Sequence, residues 1–128
     1  MTGPLVGVVM VHFGKLEPTL GGLKSVFEDG SEIERRVAVV DNSGNFSLED
    51  PLPNLTVLSR PDNPGFGAAA NAGLAEIDRD RACTCYLVLN NDATLETGFL
   101  AAAADALEVG VGAAGGPIRN AFDRSVLW

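Results

Sequence analysis

The chain has 128 residues, enough for one core and too few for two, since single domains most often hold about 100 to 150. Hydrophobic residues make up 46% and charged residues 20%, which excludes a disordered or fibrous chain. The formal charge of −8 excludes a nucleic-acid surface, which needs clustered Lys and Arg; an anionic ligand would have to be held by backbone N–H groups, a helix N-terminus or a metal ion.

Leu5 to Val11 reads LVGVVMV, a short valine-rich run that predicts a strand covered on both faces. With no basic stretch before it and no cleavage-like site after it, the run is not read as a secretory signal, and no apolar run approaches the roughly 20 residues that span a bilayer. A cytoplasmic protein without a transmembrane segment is expected. Leu16, Leu20, Leu23 and Phe27 recur at helical spacing and predict a first helix, although Gly21 and Gly22 cost it about 1 kcal/mol each relative to alanine. Arg36 to Val40 predicts a second strand, stopped by the turn-forming Asp41-Asn42-Ser43-Gly44. A loop with Pro51 and Pro53 leads to a third strand at Asn54 to Ser59. Phe66 to about Asp78 predicts a second helix and Thr84 to Asn90 a fourth strand. Gly98 to Glu108 predicts a third helix, with Leu100, Ala103, Ala104, Leu107 and Val111 on one stripe. The segment from Gly115-Gly116-Pro117 to Trp128 reads as a loop cut off within a fold, so the expected unit is one domain over 1–128, truncated at its C-terminus.

Strands alternating with helices predict an α/β protein: an open, mostly parallel sheet with flanking helices, Rossmann-like and layered α/β/α. Ligands of such sheets bind beyond the carboxyl ends of the strands, near the point where strand order reverses. The stretches to inspect are therefore His12 to Lys15, Asp41 to Asn45, Arg60 to Gly65, and Asn90 to Thr94. Cys83 and Cys85, two apart in a predicted strand, are expected on one face as buried free thiols. A structural zinc site wants about four ligands, and His12 is the only histidine.

Asp41, at the end of an apolar strand, can accept hydrogen bonds from ribose hydroxyls or a base N–H, or it can start a turn. In RPDNPGFGAAANAG, Gly65, Gly67 and the alanines leave the first helical turns bare, so backbone N–H groups and the positive dipole end could meet a phosphate or sugar. Asn71 is worse than alanine in a helix by about 0.7 kcal/mol or less, which a polar contact would offset; the alternative is a solvated side chain on a helix packed through Ala and Gly. Gly65-x-Gly67-x-x-Ala70, with Asp92 about 20 positions on, also matches the dinucleotide fingerprint. Two strands and a helix precede it, however, whereas that fingerprint normally belongs to the first βα unit. In YLVLNNDAT, Asn90 and Asp92 offer oxygens at i and i+2, a spacing suited to Mg²⁺ or Mn²⁺ that also binds a diphosphate. The alternative is that Asp92 or Thr94 caps the following helix. His12, with no matched carboxylate partner in the sequence, reads as lining the strand end rather than as a general base. Arg60, Lys15 and Arg119 could pair with phosphates but read as solvated surface charges.

Taken in order, VGVVMVHFG, VAVVDNS, RPDNPGFGAAANAG and YLVLNNDA resemble the nucleotide-binding half of the family 2 glycosyltransferases, inverting enzymes of the GT-A fold, and among them the rhamnosyltransferase-like members. The resemblance runs from about residue 5 to residue 118. It implies that the end of the first strand, Val11, His12 and Phe13, cradles the nucleoside together with Asp41. It implies that Asn63, Gly65, Asn71 and Gly73 shape the donor pocket, with Asn91 also on the nucleotide-sugar, and that Asn90 and Asp92 hold Mg²⁺ or Mn²⁺ and the diphosphate. Asn90 stands where the family commonly has aspartate, which leaves Asp92 as the firm carboxylate ligand. The activity implied is transfer of a sugar from a UDP- or dTDP-sugar to a hydroxyl of a saccharide or lipid-linked acceptor, as in cell-wall polysaccharide synthesis, in the cytoplasm or at the inner face of the membrane. The family's catalytic base lies in a later half that this sequence does not contain, and a homodimer is compatible with the resemblance. Two other classes stay open: an NAD(P)-binding oxidoreductase fragment, which would bind a dinucleotide without metal, and a non-catalytic interaction module, which would bind neither.

Overall fold

The computed structural model describes residues 3–107 and 109–125. The elements run β1 (Leu5–His12), α1 (Leu16–Phe27), β2 (Glu34–Asp41), β3 (Leu55–Ser59), α2 (Phe66–Asp78), β4 (Cys85–Asn90) and α3 (Phe99–Ala106). The four strands form one all-parallel sheet in the order β3-β2-β1-β4. This is an open α/β sheet flanked by three helices, the Rossmann-like three-layer arrangement that the alternation of strands and helices predicts.

Every residue of β1 is buried, as befits an inner strand with a helix on each face, and the strand carries five of its eight positions as valine or leucine. Alternation then sorts the core. Val6, Val8 and Met10 pack with Val37, Val39, Leu89, Leu23, Val26 and Leu100, placing α1 and α3 on one face. Val9, Val11 and Val40 pack with Ala69 and Ala70, and Leu5 and Ala38 with Ile77, placing α2 on the other. From β1 the chain steps one way to β2 and β3, and α2 then carries it back past β2 and β1 to β4. Right-handed crossovers travelling in opposite directions put their helices on opposite faces. Residues 42–54 join β2 to β3 without a helix, a span near the dozen residues that parallel neighbours need.

Several details depart from the sequence reading. α1 buries Thr19, Gly22, Leu23 and Val26 rather than the stripe Leu16, Leu20, Leu23 and Phe27. The rotation has a steric reason: a Cβ on Gly22 would lie 2.7 Å from Met10 Cε and 2.8 Å from the Ala93 carbonyl, so glycine is what lets α1 approach the sheet there. α3 ends at Ala106, which leaves Val111 outside the helix and half-exposed; Glu108 and Trp128 lie outside the described residues. Cys83 and Cys85 do not share a face. Cys83 precedes β4 and packs with Leu5, Ala38 and Ile77 beneath α2, while Cys85 packs into the α1 cluster. Both are free, and burial pushes both thiols up. No helix among the described residues is long and apolar enough to cross a membrane.

Candidate functional site

Strand order reverses between β1 and β4, so the carboxyl edge around His12 and Asn90 is where an open sheet of this topology opens its crevice. His12 pairs in register with Asp41 and Val11 with Asn90, which puts Asp41 and Asn90 at the same edge on either side of β1, about 10 Å apart across two strand spacings. Alternation turns them to different faces: Asp41 and His12 to the α1 face, and Asn90, with Val11 and Val40, to the α2 face.

Asp41 closes its own turn. Oδ1 accepts the N–H groups of Ser43 at 3.1 Å and Gly44 at 2.9 Å, and Oδ2 accepts that of Phe46 at 2.9 Å. Burial alone would raise its carboxyl pKa, yet these three bonds outweigh it and hold the group below the usual carboxylate range. With 4% of its surface exposed, Asp41 does not present a carboxylate to a nucleoside; that expectation is corrected to a role in shaping the β2–β3 loop. The turn reading of this residue was the other side of the same sequence signal.

His12 is likewise not available to a ligand, being 0% exposed with both ring nitrogens engaged. Nδ1 lies 2.6 Å from Thr19 Oγ1 and Nε2 2.6 Å from Asn45 Oδ1, and the Phe46 ring stands 5.7 Å away at 60°. Val11 is buried under α2 beside Ala69 and Ala70. Of the three strand-end residues expected to cradle a nucleoside, only Phe13 is open, 60% exposed at the mouth of the edge.

The β3–α2 turn uses two positive φ angles, 48° at Asn63 and 93° at Gly65; asparagine tolerates the first, and glycine is the residue suited to the second. Gly65 is the N-cap of α2 and supplies no side-chain cap; neither it nor Gly67 would bring a Cβ within 4 Å of another residue, so the helix start is uncrowded. Phe66, Gly67 and Ala68 are exposed there. Gly73 has a different role from the one expected in a donor pocket. A Cβ on it would meet Val9 Cγ2 at 2.5 Å and Val40 Cγ2 at 3.0 Å, so it is the contact by which α2 lies close on the sheet. Asn71 is exposed and one heptad before Asp78, whose carboxylate accepts the Tyr86 hydroxyl at 2.5 Å. Both therefore lie on the same flank of α2, with Asn71 about 10 Å nearer the helix N-terminus than Asp78.

Asn42 escaped the sequence reading except as a turn residue. It is 2% exposed, its Nδ2 donates to the Gly65 carbonyl at 3.4 Å, and its Oδ1 is buried without a partner among the described residues. An unpaired buried amide oxygen costs about 1–3 kcal/mol, and here the cost sits between the end of β2 and the cap of α2.

Asn90 and Asp92 are exposed at the end of β4, in a turn closed by the Ala93 N–H on the Asn90 carbonyl at 3.1 Å. Asn91 is directed inward: its Nδ2 donates to the Phe13 carbonyl and to Thr19 Oγ1, both at 3.2 Å, so it braces the edge instead of facing a ligand. Neither Asp92 nor Thr94 caps α3. The Asp29 carboxylate accepts the Leu100 N–H at 2.9 Å and the Ser31 hydroxyl oxygen accepts the Ala101 N–H at 3.1 Å, so the α1–β2 connection supplies that cap. Asp92 is left with no ion pair or side-chain hydrogen bond among the described residues. Arg60 lies 3.7 Å from Asp62 and Arg119 3.6 Å from Glu96, surface pairs worth little, and Lys15 is exposed.

One exposed carboxylate and one exposed amide oxygen two positions apart fit Mg²⁺ or Mn²⁺ in the mode where the ion keeps waters and completes its shell with substrate phosphates. They do not make a protein cage, and no group of three or more His, Cys, Asp or Glu able to hold a metal occurs among the described residues. The chain matches no protein-family model and no curated protein.

Proposed function

We propose that this chain binds a nucleotide-diphospho-sugar, UDP- or dTDP-linked, at the carboxyl edge of its sheet, and is the donor-binding part of an inverting glycosyltransferase. The observation that carries the reading is Asp92: an acidic side chain exposed beside the strand-order reversal, relieved of any capping duty by Asp29 and Ser31. Asp92 and Asn90 would hold the Mg²⁺ or Mn²⁺, whose charge stabilises the departing diphosphate when it is bound. The uncapped start of α2 offers free N–H groups and a positive dipole end to the same anion. Exposed Phe13 gives a base an aromatic surface, and Asn71 gives a sugar a polar one. Asp41 serves by fixing the loop whose backbone faces the nucleoside.

The acceptor is a saccharide or lipid-linked hydroxyl met in the cytoplasm or at the inner membrane face. Position favours this reading over a dinucleotide site. Gly65-x-Gly67-x-x-Ala70 follows β3, an edge strand, whereas the dinucleotide fingerprint joins the first strand to its helix. Calorimetry against UDP-, dTDP- and GDP-sugars and NAD⁺, each with and without Mn²⁺, separates the readings. Metal-dependent binding of one sugar nucleotide supports the proposal, metal-independent NAD⁺ binding replaces it, and binding of none leaves an interaction module.

A further inference from the structure

His12 is a buried imidazole whose two nitrogens reach two different loops, and its protonation follows from its neighbours. Asn45 is oriented by its Nδ2, which donates to the Gly14 carbonyl at 2.9 Å, so its Oδ1 faces His12 as an acceptor and also receives the Ser43 hydroxyl at 2.9 Å. Nε2 must then carry a proton. On the other side, Asn91 is oriented by its donation to the Phe13 carbonyl, and the same amide donates to Thr19 Oγ1. The Thr19 hydroxyl, already accepting, has His12 Nδ1 as the place for its own proton, at 2.6 Å. A proton on Nδ1 would strand that hydroxyl hydrogen in a buried site. An unbroken donor–acceptor chain thus runs from Ser43 through Asn45, His12 and Thr19 to Asn91, the residue beside Asp92.

We infer that His12 is a positioning residue: a neutral imidazole, protonated on Nε2 and bare on Nδ1, that couples the β2–β3 loop to the β4–α3 loop across the end of β1. Among the described residues neither loop hydrogen-bonds the other directly. Asn45 holds the first and Asn91 the second; they are joined side chain to side chain by the imidazole with Thr19, and in parallel by the adjacent Phe13 and Gly14 carbonyls, which accept from Asn91 and Asn45. This deepens the donor-binding reading, on which the ligand duty of the two loops rests; the proton placement and the coupling stand without it.

Because His12 is the only histidine, imidazole ¹⁵N spectra near neutral pH report on it alone. One proton-coupled nitrogen, Nε2, is expected; a proton on Nδ1, alone or in addition, overturns the inference. Amide exchange then reads the coupling. Asn45→Ala releases the β2–β3 loop from His12 and from Gly14 together, and the expected result is exchange about tenfold faster at Ala93 as well, the loss of roughly one hydrogen bond; Thr19→Val, which leaves the Gly14 and Phe13 carbonyl bonds in place, isolates the imidazole route. Unchanged exchange at Ala93 overturns the inference. Thr19→Val gives the reciprocal arm should Asn45→Ala fail to fold: faster exchange at Gly44 is expected, and unchanged exchange there overturns the coupling. UDP titration of the unmodified chain with Mn²⁺ keeps the two ideas apart, since absence of binding defeats the donor-binding reading while the spectra and exchange still decide the role of His12.

Discussion

The Asp29 carboxylate and the backbone N–H of Leu100, 71 positions apart in sequence, meet at 2.9 Å. The same carboxylate accepts Arg35 Nη1 at 2.8 Å and the Ser31 N–H at 3.0 Å, and the Asp29 carbonyl accepts the Gly98 N–H at 2.6 Å. A loop between α1 and β2 is thereby the N-terminal cap of α3, whose own N-cap residue is a glycine without a side-chain bond.

Asp29→Ala removes that cap and one partner of a nearly buried ion pair, leaving Arg35 uncompensated. The expected loss is about 3–5 kcal/mol of unfolding free energy in urea denaturation. Ser31→Ala, which removes the hydroxyl that accepts the Ala101 N–H and donates to Asp29 Oδ2 but leaves the ion pair in place, is expected to cost about 1 kcal/mol. Equal effects of the two would mean that the ion pair contributes nothing beyond the cap.

Stability should fall steeply below about pH 4 and change little between about pH 5 and 8 on account of Asp29 and Asp41. Burial raises both carboxyls, but the bonds from Leu100, Ser31 and Arg35 at the first, and from Phe46, Ser43 and Gly44 at the second, bring both below the ordinary value of 3.8. A folded-state pKa under the unfolded one gives stability that is present above the unfolded value and is lost as pH falls through the folded value. Urea midpoints at pH 7, 5, 4 and 3 measure this, and a flat series would refute it.

Two glycines of α2 should respond oppositely to alanine. Gly73→Ala drives a methyl into Val9 and Val40 and is expected to cost about 1–3 kcal/mol. Gly67→Ala has open space and should gain up to about 1 kcal/mol from helix propensity. Thermal melts of the two variants check the pair, and destabilisation by Gly67→Ala would show that its surroundings are tighter than described.

The sheet and its helices were legible in the sequence because LVGVVMV, RVAVV and YLVLN are short apolar runs and because helix spacing recurs between them, although in YLVLN only Leu89 is buried; β2 starts two residues before the expected Arg36, and β3 and β4 each start one later. The site was legible as a location, the carboxyl edge, but less so residue by residue. An aspartate at a strand end reads the same whether its carboxylate faces a ligand or its own loop, and only the fold of residues 42–46 decides that for Asp41. His12 lacked a partner in sequence because its partners are Thr19 on α1 and Asn45 in the next loop, neither of them a carboxylate. The Asp29 cap was invisible for the same reason: nothing local ties Asp29 to Leu100. Asn71 and Asp92, by contrast, are exposed, and for neither did the motif settle between a ligand contact and a solvated or capping side chain.

Donor binding tested in Asp92→Ala reaches the central claim most directly, because Asp92 is exposed and its removal leaves the described packing and hydrogen bonds intact. Calorimetric titration of UDP into the unmodified chain should show Mn²⁺ tightening binding by about tenfold or more, a gain of at least roughly 1.4 kcal/mol, and Asp92→Ala should abolish that gain while keeping the fold. UDP affinity that is the same with and without metal, or a metal effect that survives Asp92→Ala, would contradict the account.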